Sequence, residues 1–258
     1  MQHNTQRNQF ETQREQTFNN DFSAPTDLFA AAAAADERAG FIMKTYTYVF
    51  GAIAAFIAIQ VLLFTAVGGA ASMWEIVGPV LATSRMSWLI VLGAFMVVSW
   101  IAGAWASSDT NPTMQHVGLG VYVVAMSLIF VPLLCAAQFY GGGANTILSA
   151  AMTTAGLFAA LTLAVFITRK DFSFLRSTVI FGGFAALGFI ITAIAFGFAL
   201  GPIFMYAMVA FMCVCILFHT SNVLHHYRIG QHVAAALALF ASVMTLFWYV
   251  LQIFLSRE

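Results

Sequence analysis

The stretch VAAALALFASVMTLFWYVLQIFL, which runs from Val233 to Leu255, carries no charged residue and is long enough to cross a bilayer as a helix. A helix rises about 1.5 Å per residue, so about 20 apolar residues cover the roughly 30 Å of hydrocarbon in a membrane. This stretch therefore predicts that the last part of the chain is a transmembrane helix.

The rest of the chain has the same character. Hydrophobic residues make up 61% of the sequence and charged residues 8%, whereas soluble domains carry about 25% charged residues. The sequence predicts an all-α membrane protein, a bundle of seven transmembrane helices. The six earlier spans are expected at Tyr46 to Val67, Trp88 to Ala106, Val117 to Ala137, Thr146 to Ile167, Thr178 to Leu200 and Ile203 to Leu224.

The sixth span is the weakest of the seven. Its purely apolar part ends at Phe218, and the polar residues His219 to Asn222 follow, so the helix either stops short or breaks at this point. Gly201 and Pro202 separate the fifth span from the sixth. Because Gly ends helices well and Pro starts them well, these two spans are predicted to form a tight antiparallel hairpin.

Two regions of different composition divide the chain. Residues 1–39 are rich in Gln and Asn and predict a disordered cytoplasmic tail, and residues 40–258 form the transmembrane domain. The alanine-rich run from Asp27 through Arg38 could form a short helix, since Ala is the best helix former. The tail is a spacer or a partner-binding segment, and its composition leaves both readings open.

Basic residues predict the orientation, because Lys and Arg near span ends stay on the cytoplasmic side. If the N terminus is cytoplasmic, the cytoplasmic side carries eight basic residues and the opposite side two. Those inside are Arg7, Arg14, Arg38, Lys44, Arg169, Lys170, Arg176 and Arg228, and those outside are Arg85 and Arg257. This bias leaves open whether the last span crosses the membrane fully or is re-entrant.

Several functional classes lack support in the sequence. All ten Asp and Glu residues lie in the tail, the loops or the last position, outside the seven predicted spans, which excludes an intramembrane aspartyl protease. No nucleotide-binding or metalloprotease motif is present, and no basic patch indicates nucleic-acid binding. We therefore expect a protein that is not an enzyme and that uses no cofactor.

A polar cluster near the end of the sixth span is the most distinctive feature. His219, Asn222 and His226 share one helical face, and polar residues at membrane depth are functional candidates. Ser242 and Thr245 share one face of the last span. If these faces meet, His219, Asn222, Ser242 and Thr245 line one polar site, the candidate latch of a pore. The neighbouring histidines are expected to be interfacial loop residues, with metal binding as the alternative.

Four stretches, taken in order, resemble the Bax inhibitor-1 family, also called the YccA-like or transmembrane BAX inhibitor motif family. The resemblance covers roughly residues 38–256 and is strongest in TRKDFSFL. The stretches are FIMKTY at Phe41 to Tyr46, TTAGLF at Thr153 to Phe158, TRKDFSFL at Thr168 to Leu175 and LFWYVLQIF at Leu246 to Phe254.

The resemblance implies a bundle in which six helices surround a central C-terminal helix, and a family-motif loop at Lys170, Asp171 and Phe172. It also implies a bacterial inner-membrane protein. Members of this family are associated with pH-sensitive calcium leak, with protection from cell death in eukaryotes and with modulation of a membrane AAA protease in bacteria. The leak members carry a pair of aspartates on the last two helices, and such a pair titrates in coupled steps.

This chain departs from the family pattern at both aspartate positions. It reads His219-Thr220 where the family carries Asp-Thr, and Ser242 and Thr245 where the family carries Asp and Asn. We expect a passive leak for calcium or other cations with an altered latch that does not use aspartate. The alternative is a non-transporting regulator that binds a quality-control protease or another membrane complex. A secondary transporter is less well supported, because such proteins use ionisable residues within the membrane.

Overall fold

The computed structural model describes residues 29, 33–82, 85–108, 111–140 and 142–257. These residues form eight α-helices, a 3₁₀ turn at Ser173–Leu175 and an isolated antiparallel bridge between Phe29 and Arg228. The helices are α1 Ala35–Ala66, α2 Ala70–Ala82, α3 Arg85–Ala106, α4 Pro112–Tyr140, α5 Ala144–Thr168, α6 Arg176–Phe196, α7 Pro202–His225 and α8 His232–Leu255.

Seven of these helices are long and apolar enough to cross a membrane, and only α2 is not among them. The prediction of a seven-helix membrane bundle is therefore confirmed. The outward faces of the helices carry large apolar side chains such as Trp100 and Phe196, which are 77% and 79% exposed. Exposed apolar side chains of this size are stable when lipid surrounds them, because lipid tails are as apolar as they are.

Helix α8 lies at the centre of the bundle. Leu239, Phe240, Leu246 and Leu251 of α8 are completely buried, and α8 packs against α1, α3, α4, α5 and α7. Helix α6 lies at the periphery, where it packs on α3 and α7. The C-terminal helix thus occupies the central position that the family resemblance implied.

Helix α7 is continuous through the polar residues that follow Phe218, and it ends at His225. The expected stop or break at His219 to Asn222 is therefore wrong. The backbone of a helix satisfies its own hydrogen bonds whatever the side chains are, and Thr220 and Ser221 are buried against neighbouring helices, so tertiary packing outweighs the loss of apolar character.

The hairpin between the fifth and sixth spans also differs in detail from the prediction. Helix α6 ends at Phe196, and Gly197 caps it in the left-handed conformation with a φ of 75°. Pro202 begins α7 as expected. The connection therefore covers residues 197–201, because the glycine that ends the helix is Gly197, not Gly201.

Helix α2 was not predicted from the sequence. It lies in the connection between the first two spans and packs on α4, where Met73 contacts Val131 and Cys135. Its 13 residues are too few to cross a bilayer. The tail helix suggested for Asp27 through Arg38 is only partly covered by the described residues, which show α1 starting at Ala35 and running unbroken into the first span.

Two ends of the bundle are distinguished below. The basal end consists of the start of α1, the start of α4, the loop 169–175 and the loop 226–231. The apical end consists of α2, the connection 197–201 and the last turn of α8. Arg257 donates a hydrogen bond of 3.1 Å to the Tyr206 hydroxyl and so ties α8 to α7 at the apical end.

Candidate functional site

A cavity of about 370 Å³ lies between α3, α4, α6, α7 and α8. It runs along α8 from Gln252, near the apical end, to Thr245. Seven residues of helix separate these two positions, which corresponds to a depth of about 10 Å. Apart from these two residues and a few aromatic polar groups, the described side chains of the wall are apolar, and none of them is charged.

Thr245 is the member of the predicted latch that contacts this cavity. Its hydroxyl donates to the Ala241 carbonyl at 2.8 Å, and the Ser242 hydroxyl donates to the Ala238 carbonyl at 2.9 Å. Ser242 is buried and is not part of the described cavity wall. Both hydroxyl protons are therefore used within α8, and the two residues have different surroundings.

His219 lies elsewhere in α7. Its Nδ1 is buried and has no hydrogen-bond partner, and its ring packs against Phe218 with the centroids 5.3 Å apart. His219 is not among the described residues of the cavity wall, and neither is Asn222. The backbone carbonyl of Asn222 accepts from the amides of His226 and Tyr227, which closes the end of α7. Hydrogen bonds do not join His219 to Ser242 or Thr245, so a shared polar site of all four residues stays a prediction.

Three hydroxyls from three different helices meet inside the bundle. The side chains of Thr162 in α5 and Thr220 in α7 lie within interaction range of the Tyr46 hydroxyl in α1. None of the three oxygens makes a hydrogen bond of regular geometry, and all three are buried. The hydroxyl cluster is thus a buried polar contact that joins α1, α5 and α7.

Most other hydroxyls of the spans behave differently, because they donate to the carbonyl one turn earlier in their own helix. Thr162 and Thr220 lack this bond and turn toward Tyr46 instead. No pattern in the sequence distinguishes Thr162 and Thr220 from the other threonines of the spans. The hydroxyls bonded within their own helix are those of Thr45, Thr47, Thr65, Ser127, Thr153, Thr154, Thr168, Thr192, Ser242 and Thr245.

The family-motif loop is attached to the basal end of α7. The Phe172 amide donates to the buried Ser221 hydroxyl at 2.9 Å. Asp171 accepts from the Ser173 amide at 2.9 Å and lies 3.6 Å from His226 Nε2. Slight burial of the carboxyl acts in the opposite direction, but the Ser173 amide and the nearby imidazoles lower the pKa of Asp171 below its ordinary value. Lys170 is exposed and does not take part in this attachment.

A second basal cluster was missed from the sequence because its members are far apart in the chain. The Tyr48 hydroxyl lies 2.6 Å from His116 Nε2, and the Tyr48 ring lies 5.2 Å from the ring of His232. His116 Nδ1 lies 2.6 Å from the Pro112 carbonyl, which fixes the imidazole orientation. This cluster joins the first turns of α4 and α8 to α1.

Taken together, the seven apolar helices, the buried C-terminal helix and the loop attached to α7 define a polytopic helical membrane protein with a cavity in its apical half. The sequence profile of the family described as inhibitor of apoptosis-promoting Bax1 matches residues 38–258. The chain therefore belongs to the Bax inhibitor-1 family, as the resemblance indicated.

Two relatives support this placement. The chain is 28% identical to Protein LIFEGUARD 4 of Arabidopsis thaliana over 231 residues, which cover 86% of each chain. It is 34% identical to an uncharacterized protein of Pseudomonas aeruginosa over 113 residues, which cover 43% of this chain and 50% of that one. The match thus spans half the length of the bacterial relative and most of the length of the plant relative.

Proposed function

We propose that the protein is a passive leak for small cations and that the structure represents its closed conformation. The observation that carries this proposal is the cavity, which follows the central helix from the apical end and stops at Thr245. Between this point and the basal end, completely buried side chains such as Leu239 and Phe240 fill the centre of the bundle. A cavity in one half of the bundle and a packed core in the other are what a closed leak requires.

The chemistry of the cavity favours a gate that does not use carboxylates. Its described wall contains no charge, and hydrophobic constrictions stop ions by losing their water. His219 occupies the position of one aspartate of the family, and we propose that it replaces the acid in the latch. Its buried, unpartnered Nδ1 supports this role, since a polar atom at membrane depth normally has a function.

Ion flux in proteoliposomes tests the proposal. We expect efflux of calcium or monovalent cations above the rate of empty liposomes, measured between about pH 5 and pH 8, the range in which imidazole changes charge. Flux equal to that of protein-free liposomes across this range would refute the leak.

The altered latch has a separate test. Replacing both positions with acid, His219→Asp with Ser242→Asp, should introduce calcium flux that varies with pH, because two close carboxylates share a proton and titrate in coupled steps. The matched control is His219→Asn with Ser242→Asn, which has the same size and no charge. If the acidic and amide variants behave alike, the two positions do not form a latch.

The second candidate is a regulator that binds a membrane AAA protease or another membrane complex and transports nothing. One observation favours it: Phe29 pairs with Arg228 of the basal loop, which places Phe29 beside the basal surface. Crosslinking and copurification should recover such a protease, and deletion of residues 1–33 should weaken the recovery. Recovery that is unchanged by the deletion would remove the segment from the binding surface.

We further propose that the protein lies in a bacterial inner membrane with the basal end in the cytoplasm, and that it catalyses no reaction. The excess of Lys and Arg in the segments that join the basal end supports this orientation. Reporter fusions after residue 34 and after residue 257 should report opposite sides of the membrane. Equal reporting from both positions would mean that the last helix does not cross.

A further inference from the structure

The wall of the apical cavity has the composition of a lipid-binding site. Aromatic and aliphatic side chains such as Phe95, Met126 and Ile129 form most of it, and its described part contains no charged residue. Its volume of about 370 Å³ falls in the range of small-molecule sites, roughly 300–1,000 Å³. Walls of this composition favour an apolar molecule.

The cavity suits an apolar occupant better than water. A water molecule takes about 30 Å³ in the liquid, and apolar cavities stay dry and bind apolar molecules instead. Wall atoms that face a void lose their dispersion contacts on that side. In a bilayer the abundant apolar molecule is the lipid itself. We propose that the cavity binds one acyl chain of a membrane lipid.

Helices α3 and α6 form the side of the cavity that faces the lipid. The wall residues Leu92 of α3 and Ile190 and Ile194 of α6 are only partly buried, so this wall is one helix thick and borders the lipid. Both helices turn most of their surface outward, since 11% of the residues in the α3 span window and 6% in the α6 window are buried. We therefore expect an acyl chain to enter from this side, which leaves the buried α8 in place.

The polar groups of the cavity indicate which way round the acyl chain binds. Gln252 and Trp88 lie toward the apical end, where lipid headgroups are found, and both offer hydrogen-bond donors. At the deep end the Thr245 hydroxyl has already given its proton to Ala241, and its neighbours in the wall are Met126 and Phe130. The headgroup end of the chain therefore lies at Gln252 and the methyl end at Thr245.

The proposed binding of an acyl chain depends only on the geometry of the cavity. Its consequence for ion flow rests on the proposed leak: a bound chain fills the apical half of the route, so conduction requires the chain to leave. Lipid occupancy would then regulate the leak from within the membrane.

Quenching of tryptophan fluorescence by a brominated fatty acid tests the binding. Trp88 and Trp248 line the cavity, and their contribution is obtained by difference from the variant W88F/W248F. Trp100 is 77% exposed, so its quenching should rise with fatty acid without reaching saturation. We expect saturable quenching with one equivalent bound in the purified protein. Quenching that only rises linearly with fatty acid, or saturable quenching that persists in W88F/W248F, would overturn the site.

A pair of matched variants tests the location. Ile129 lines the cavity, and its neighbour Leu128 is 57% exposed to lipid. The double variant I129F/T245L, which fills the cavity, should weaken binding by about tenfold, equivalent to about 1.4 kcal/mol, while Leu128→Phe should leave it unchanged. Circular dichroism and thermal unfolding check that both variants fold. Equal binding by the filled variant and the control would overturn the proposal.

The two proposals fail separately. Saturable quenching in a protein that shows no ion flux at any occupancy of the cavity would refute the leak and leave the lipid site in place. Flux without saturable quenching would do the reverse.

Discussion

Gly118 offers the sharpest test of how the bundle is packed. A Cβ atom at this position of α4 would lie 2.6 Å from the Ala102 carbonyl oxygen and 2.6 Å from the Ala106 amide nitrogen of α3. Both neighbours are backbone atoms, so no side chain can rotate away and the two helices must separate. Overpacking of this kind costs about 1–3 kcal/mol, and we expect Gly118→Ala to fall in the upper part of that range.

The matched control for Gly118→Ala is Gly120→Ala on the same helix, because a Cβ at Gly120 would meet no atom within 4 Å. In thermal unfolding of the purified protein, each kcal/mol lowers the midpoint by about 2–4 °C for a domain of this size. Gly118→Ala should therefore unfold about 4–12 °C below the wild type, and Gly120→Ala should not. Equal midpoints would refute the close approach of α3 and α4.

The remaining predictions concern α6 and the basal loop. Gly182→Ala would place a Cβ 2.5 Å from the Phe211 ring of α7. Because this ring can shift, we expect the free energy of unfolding to fall by about 1 kcal/mol, at the low end of the overpacking range. Gly183→Ala is the control, which should show no such loss in thermal unfolding, because a Cβ there would meet no atom within 4 Å. Ser221→Ala removes the acceptor of the Phe172 amide and should cost about 1 kcal/mol, seen as faster hydrogen exchange in residues 169–175 with α5 unaffected. The pKa of Asp171 is lowered in the folded protein, so its stabilising effect is complete above the ordinary value of about 3.9 and is lost as the pH falls through the lowered one. Asp171→Asn should thus speed exchange of the loop at neutral pH and match the wild type in strong acid, and a difference that persists in acid would contradict this assignment.

The spans could be predicted from the sequence because a helix needs about 20 mostly apolar residues to cross the bilayer. The stretch from Val233 to Leu255 meets this requirement and carries no charge. The helix that forms, α8, begins only one residue earlier, at His232. Its central position could not be read from the same requirement, since α6 is just as apolar and lies at the periphery. Only the family resemblance predicted that α8, and not α6, is the central helix.

The residues that the sequence could not reveal depend on which helix faces meet. Nothing in the chain distinguishes Gly118, which lies against the backbone of α3, from Gly120, which faces open space. In the same way Thr162 and Thr220 look like the other threonines of the spans, but they face Tyr46. Helix α2 was missed because its apolar stretch is shorter than a span and so resembles a loop in a search for spans.

Ionisable side chains are unevenly distributed between the spans and the basal end. Among the described residues of the seven spans, the only carboxylates are Asp36 and Glu37, in the first turn of α1. Most imidazoles lie at the basal end, where His226 faces Asp171 and where His116 and His232 flank Tyr48. An unpaired charge inside the bundle is costly, whereas the His226 and Asp171 side chains are 45% and 47% exposed. Within α7, the Nδ1 atom of His219 is buried and has no hydrogen-bond partner. The acid and amide substitutions at His219 therefore separate a latch in the membrane from a response of the basal surface.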